Sequence, residues 1–282
     1  MTFNPLAAVM TFKCKNILTN EPNPVALDLG SQTSRIDKNF LKKFLEINNG
    51  ISIEIKSNIE QLIKKGKFST KEYFNAINFH DYSSIDINGA YESYNFDLNL
   101  NIKEDYNFNK KFDLVINNGT SEHIFNQSNF FLNFHNLTQV NGLMLNIVPF
   151  IDWINHGFYN YNPIFFADLA AANGYEILKI CLGNRNAAIL NIDKKFQKTF
   201  FDQIKPNDDN SEFKNIISLA RSKLGENIIL VVILKKINEE IFKIPLQGKY
   251  LDDIKRNKSN YSDQSTGSES AKGQIPDNYK RK

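Results

Sequence analysis

Val25-Ala26-Leu27-Asp28-Leu29-Gly30-Ser31-Gln32 is an apolar run that closes on an acid and a glycine. Such a run reads as a buried parallel strand delivering its C-terminal end to a ligand, because a residue without a side chain lets backbone or cofactor approach closely. In open α/β sheets the ligand crevice lies just outside the carboxyl ends of the strands. Asp28, Gly30 and the turn after them are therefore expected to touch whatever binds.

Working outward, Met1 to Asn23 is a lead-in bracketed by Pro22 and Pro24, without a readable function. On the other side, Ser34 to Asn48 places Phe40, Leu41, Phe44 and Leu45 at helical spacing, with Ser34 as N-cap and Asn49-Gly50 as the stop. Strand, turn and helix make the opening half of a βαβ unit. The next acid-ended strand, Tyr82 to Ile87 with Asp86, comes late, since a plain dinucleotide-binding unit puts its ribose acid about 20 residues on. An insertion at about 50–80 fills the gap, with Ile51, Ile53 and Ile55 alternating and helical pieces over Asn58–Lys65 and Thr70–Ile77. It is either a cap on the substrate side or a decoration.

Tyr94 to Leu100 carries a further acid, Asp97. Lys111 to Gly119 reads as a strongly buried strand with the polar exit Asn117-Asn118-Gly119, and a helix through Phe125, Phe130, Phe131, Phe134 and Leu137 follows. Asn141-Gly142 turns the chain into the strand Leu143 to Pro149. Further on come a helix Ile164–Ala172, a short helix near Phe213–Ser222 and a β-branched strand Asn227–Lys235 suited to antiparallel closure of the same sheet.

Composition narrows the classes. The 282 residues, 41% hydrophobic and 23% charged, suffice for one large core, read as a domain over 1–250. Residues 251–282 are poor in large apolar residues and read as a disordered polar tail. A net charge of +3 with acids interleaved among the bases gives no nucleic-acid footprint. Cys14 and Cys181 form no ligand cluster, which argues for a reducing, cytoplasmic setting. The apolar run Ile228–Leu234 is too short to span a bilayer, and no export signal or membrane anchor is visible.

Taken in order, Leu27 to Gln32, Ser84-Ile85-Asp86, Phe96-Asp97-Leu98-Asn99, Phe112 to His123 and Asn141 to Pro149 resemble the successive motifs of class I S-adenosylmethionine-dependent methyltransferases, over roughly Pro24 to Ile180. The resemblance implies a Rossmann-like, seven-stranded, mostly parallel sheet with helices on both faces and an antiparallel last strand. It also implies S-adenosylmethionine as cofactor, with Asp28 and Gly30 beneath its methionine part, Asp86 on the ribose hydroxyls, Asp97 and Leu98 at the adenine, and Asn117, Asn118 and Gly119 lining the methyl-donor side. Gln32 is a further contact; it and Ser34 stand where more glycines are expected, so a degenerate, silent member stays open beside the enzyme.

His123, just after the fourth strand of that pattern, reads either as a general base or orienter of the acceptor or as a helix-start residue packed on the sheet. Glu122-His123 is similar to the Glu-His pair of metal-assisted methyltransferases, but Gly119 stands where their earlier acid would be, and no metal is expected. His156-Gly157-Phe158-Tyr159 resembles the loop that covers the active site of small-molecule and sugar methyltransferases, which makes His156 the second catalytic candidate. The alternative is that its aromatics plug the sheet edge; His80 and His135 read as structural. The expectation is methyl transfer to oxygen or nitrogen of a small molecule or sugar, against a catalytically silent binding or scaffold subunit. The first turn lacks the GxGxxG of a nicotinamide enzyme, and no Asn-Pro-Pro-aromatic motif of nucleic-acid methylation is present.

Overall fold

The protein is described by a computed structural model over residues 2–48, 50–192 and 211–247. Its centre is the decisive strand: β1 (Val25–Asp28) pairs in parallel with β2 (Asp81–Ser84) on one side and β3 (Phe112–Asn118) on the other. β4 (Thr138–Ile151) lies parallel to β3. β5 (Glu176–Gly183), β6 (Ile189–Asn191) and β7 (Ile228–Lys235) complete a seven-stranded sheet in the order β2-β1-β3-β4-β7-β5-β6.

The last strand is antiparallel as expected, inserted between β4 and β5. The edge strand β6, which the sequence did not announce, is antiparallel to β5. Tyr94 makes only an isolated parallel bridge to Ile85. The segment after it turns away into a stack of Tyr94, Phe96, Tyr106 and Phe108.

Alternate residues of each central strand serve opposite faces. Ala26, Leu114, Ile116, Leu145 and Val231 join one core, while Leu27, Val115, Met144, Leu230 and Val232 join the other. Burial on both faces is why these strands read as continuous apolar runs. The first face is covered by α1 (Pro5–Ile17), α2 (Lys38–Ile47), α3 (Ile53–Lys65) and α4 (Thr70–Ala76). The second is covered by α5 (Ile102–Asp105), α6 (Gln127–Leu137), α7 (Pro163–Asn173) and α8 (Ser211–Leu224).

Several boundaries moved for physical reasons. The lead-in is a helix, α1, capped by the Asn4 side chain and started by Pro5. Its residues Leu6, Ala7, Ala8, Met10, Thr11, Phe12 and Cys14 are all buried, so it shows no polar stripe to betray it. Ser34 does not cap α2, because it is held extended in a bridge with Phe3. Asp37 caps instead, accepting the Phe40 N–H at 2.8 Å. The stop at Asn49-Gly50 falls partly on residue 49, outside the described residues, as does the tail 251–282.

In the insertion, the Ile53/Ile55 alternation lies on a helix. Ser52 caps α3, Ile55, Ile59 and Leu62 face inward, and Ile53 points to solvent. The insertion packs on the N-terminal stretch and on the turn after β1. Phe3 packs on Tyr73 and Phe74 at 5.4 and 5.6 Å, the Tyr73 hydroxyl donates to the Ala8 carbonyl, and Thr70 Oγ1 donates to the Gln32 carbonyl at 2.8 Å. The segment after Gly30 is thus held from below by both the N-terminal stretch and α4.

Away from the crevice, the sheet is locked by a buried polar knot. Lys236, fully buried, donates from Nζ to the carbonyls of His135 and Thr138 at 3.0 and 3.1 Å. His135 in turn joins the Tyr175 hydroxyl at 2.6 Å and the Glu240 carbonyl at 2.9 Å, the structural role expected for it.

Candidate functional site

β1, β3, β4 and β5 all end on the same edge of the sheet, and the candidate residues collect there. Gly30 is needed because Thr120 presses against it: a Cβ at Gly30 would lie 2.2 Å from Thr120 Oγ1. The Ser31 N–H donates to Asp86 Oδ2 at 3.2 Å, so the acid at the end of β2 is tied to the turn after β1. Its other oxygen accepts the Asn88 N–H at 3.2 Å. Asp86 is only partly buried, and with one hydrogen bond on each oxygen its carboxylate keeps acceptor capacity.

Asp28 lies deeper. It is fully buried beneath the turn, with Oδ2 3.5 Å from the Tyr82 hydroxyl and Oδ1 without a hydrogen-bond partner. Burial pushes its carboxyl well above the usual carboxylate range, which favours the neutral acid. Asn117 is consumed internally, donating to Ser121 Oγ and Asn146 Oδ1 and accepting the Ser121 N–H. Gly119 takes φ +68°, the left-handed region open to glycine, where β3 turns out.

Gln32 and Asn118 make a reciprocal amide pair across the gap between the β1 turn and the end of β3. Gln32 Nε2 donates to the Asn118 carbonyl, and Asn118 Nδ2 donates to Gln32 Oε1 at 2.7 Å. Both are buried. Asp97 shapes its own turn by accepting the Asn99 backbone and side-chain N–H groups at 2.8 and 2.9 Å, and Leu98 is buried in the second core.

The two candidate histidines meet. His123 ends the 3₁₀ turn Ser121–His123, and His156 sits on the loop after β4; their ring centroids are 5.1 Å apart. The link is Glu122, whose backbone carbonyl accepts the N–H groups of Phe158 and Tyr159 at 2.7 and 3.3 Å. Gly157 permits this approach, since a Cβ there would stand 2.8 Å from that carbonyl. The Glu122 side chain is fully buried, 3.7 Å from His156 Nε2 and 4.0 Å from His123 Nε2. Burial raises its carboxyl to about 7. Both imidazoles are lowered by partial burial, His123 further by His156, and His156 further by Arg185.

The loop aromatics divide. Tyr161 is buried, with its hydroxyl on Gln127 Oε1 at 2.6 Å, and the Tyr159 hydroxyl donates to the Phe125 carbonyl. Phe158 stays largely exposed, edge-on to the exposed Phe125. Beside His156, Trp153 lies 4.7 Å away, and the Arg185 guanidinium stands 5.0 Å over the Trp153 ring. Trp153, His156, Asn184, Arg185, Asn186 and Asn227 are among the walls of a cavity of about 470 Å³.

Sequence reasoning missed Glu122 as a centre, Arg185, and the Gln32–Asn118 pair. The Glu-His dipeptide was the available signal for the first; the other two depend on contacts between distant segments.

The strand order places β1 centrally, with parallel neighbours on either side and an antiparallel strand inserted beyond β4. The fold is a Rossmann-like α/β sheet, mostly parallel, with helices on both faces. No family model and no curated protein matches the sequence. Among solved structures, the chain is similar to an O-methyltransferase of a trans-AT PKS multienzyme from Brevibacillus brevis in complex with S-adenosyl-L-homocysteine, at 15% identity and TM-score 0.37, over 80% of this chain and 71% of that one. A geranyl diphosphate methyltransferase in complex with SAM is similar at 8% identity and TM-score 0.38, over 81% and 85% of the two chains. A third is 1,6-didemethyltoxoflavin-N1-methyltransferase from Burkholderia thailandensis, at 11% identity and TM-score 0.33, over 83% and 80%.

Proposed function

We propose that the protein is an S-adenosylmethionine-dependent methyltransferase acting on an oxygen or nitrogen of a polar small molecule or sugar precursor. The observation that carries this reading is the Asp86 carboxylate, bonded to the Ser31 N–H at the end of β2 beside the Gly30 turn. A carboxylate in that place suits a ribose diol, and the crevice at the strand ends is where open α/β sheets take their ligands. Asp86 would hold the ribose, the Gly30-Ser31 turn would pass beneath the methionine part, and Asn118 and Gly119 would border the methyl-donor side. Bound there, the cofactor supplies an already activated methyl group on a sulfonium.

The chain's own contribution is then alignment, orientation of the acceptor and water exclusion. The cavity beside Trp153, His156 and Arg185 is the acceptor side in this reading, and its asparagines and guanidinium suit a polar or anionic partner. His156 lines that cavity and His123 stands beside it, so the two imidazoles are placed to orient the acceptor heteroatom. We place the protein in the cytoplasm on its two free, buried cysteines; among the described residues no helix is long and apolar enough to cross a membrane.

A second reading has one observation in its favour. The Gln32–Asn118 pair and the Gly30–Thr120 contact cross the gap a cofactor's methionine part would use, as a silent binding subunit would tolerate. Calorimetric titration with S-adenosylmethionine and S-adenosylhomocysteine separates the two. Micromolar binding lost in Asp86→Ala supports the enzyme; no binding of either ligand by the folded chain puts the silent subunit in front.

A further inference from the structure

The geometry points to a divalent transition-metal site formed by Glu122, His123 and His156, with zinc-like coordination by one carboxylate and two imidazoles. One donor atom from each of the three lies within 4.8 Å of the others. The decisive feature is the Glu122 side chain: it is fully buried, and neither oxygen accepts a hydrogen bond from another residue. A buried carboxylate without donors is costly, and such groups are normally paired or bound to a metal. His156 Nε2, aimed at the same carboxylate, is likewise buried and without a hydrogen-bond partner.

The backbone holds this arrangement in place. The Glu122 carbonyl clamps Phe158 and Tyr159, and Gly157 lets the loop come close enough for His156 to reach the turn that carries His123. Two ligands about 2.0–2.2 Å from one tetrahedral ion stand about 3.3–3.6 Å apart. The 3.7 and 4.0 Å separations from Glu122 Oε1 reach that range by small rotations of the imidazoles. Nitrogen-rich donor sets of this kind favour zinc, cobalt, nickel or iron over magnesium or calcium. The side chains of His123 and His156 are 44% and 27% exposed, so solvent reaches the cluster and the remaining coordination positions can take water or a hydroxyl or carboxylate of an acceptor. The motif-level gap at Gly119 is filled from elsewhere in the chain, by His156.

The test uses the full chain, stripped with a chelator and titrated with zinc by calorimetry and with cobalt(II) by visible absorption. One ion should bind per chain, and the cobalt complex should show the d–d bands of low-coordinate nitrogen–oxygen ligation. Glu122→Gln and His156→Ala should each weaken binding about tenfold or more, while His80→Ala, an exposed histidine elsewhere, should change nothing. Circular dichroism establishes that each variant is folded, and if Glu122→Gln does not fold, His156→Ala on its partly exposed loop carries the decision. The proposal is overturned by an absence of stoichiometric uptake in the folded chain. It is equally overturned by uptake that Glu122→Gln or His156→Ala leaves intact, or that His80→Ala removes. The readout is metal binding alone, so it stands or falls separately from S-adenosylmethionine binding.

Discussion

Gln32→Ala separates a latch from a ligand contact. In the structure both amide ends of Gln32 are engaged with Asn118, in a buried gap between the turn after β1 and the end of β3. Each hydrogen bond contributes about 0.5–1.5 kcal/mol net, and stranding a buried partner costs about 1–3 kcal/mol. The variant should therefore lose about 2–3 kcal/mol of stability, or about 5–10 °C in Tm for a chain of this size. If a ligand enters only when the pair parts, the wild-type chain must give up those two bonds on binding and the variant need not. Affinity for S-adenosylhomocysteine should then rise about tenfold, from about 1.4 kcal/mol of released closure. Thermal unfolding and calorimetric titration, run on the same samples and repeated with Asn118→Ala and the double variant, give both numbers and the coupling between the residues. Stability falls in either case, so it is the affinity that decides. Unchanged binding by Gln32→Ala refutes the latch, and weaker binding refutes it and makes Gln32 a contact of the bound ligand.

His135 is held down to about 4, first by burial and then by the Lys236 ammonium, against 6.5 for an ordinary imidazole. The folded ring is neutral while the unfolded one takes a proton near pH 6.5, so this contribution is complete above that pH and drains away as pH falls toward 4. From pH 7.5 to 5 the loss is about 2 kcal/mol, and urea midpoints should show a steeper acid loss for the wild type than for His135→Gln; parallel losses would remove His135 as the cause. Gly30→Ala sets a methyl group 2.2 Å from Thr120 Oγ1 and should destabilise by about 1–3 kcal/mol. Adding Thr120→Ala should recover most of that loss, and a double variant no more stable than the single one would mean that the backbone conformation, rather than this contact, requires glycine.

What the sequence made legible was whatever is local and strongly periodic. β3 and β7 are buried on both faces and so appear as unbroken apolar runs, and Gly174 marks the end of α7 because it adopts the left-handed cap. The lead-in helix stayed hidden because nearly all of its surface is covered, which erases the polar stripe that marks a surface helix, and only Asn4-Pro5 signalled its start. The capping of α2 was misplaced by three residues because Phe3, distant in the chain, holds Ser34 extended. At the site, Asp86, Gly30 and the two histidines were singled out by their places at strand ends and loops and by the motifs they resemble. The meeting of Glu122 with His156 was not, because a whole strand, β4, separates them and only the fold closes that distance.

The position of β7 also governs the order in which the sheet can be finished. β4 and β5 are adjacent in sequence, with only α7 between them, yet they never touch as a pair, since each bonds to an opposite edge of β7. Until Ile228–Lys235 has left the ribosome, the nascent chain therefore carries two long apolar strands with unpaired edges, the form of intermediate most prone to edge-to-edge association. A chain ending before Ile228 should pellet on ultracentrifugation under conditions where the full chain stays dispersed. A dispersed, monomeric fragment would mean that β4 and β5 find each other without it. Late closure by an interior strand leaves the sheet's two halves to be joined last.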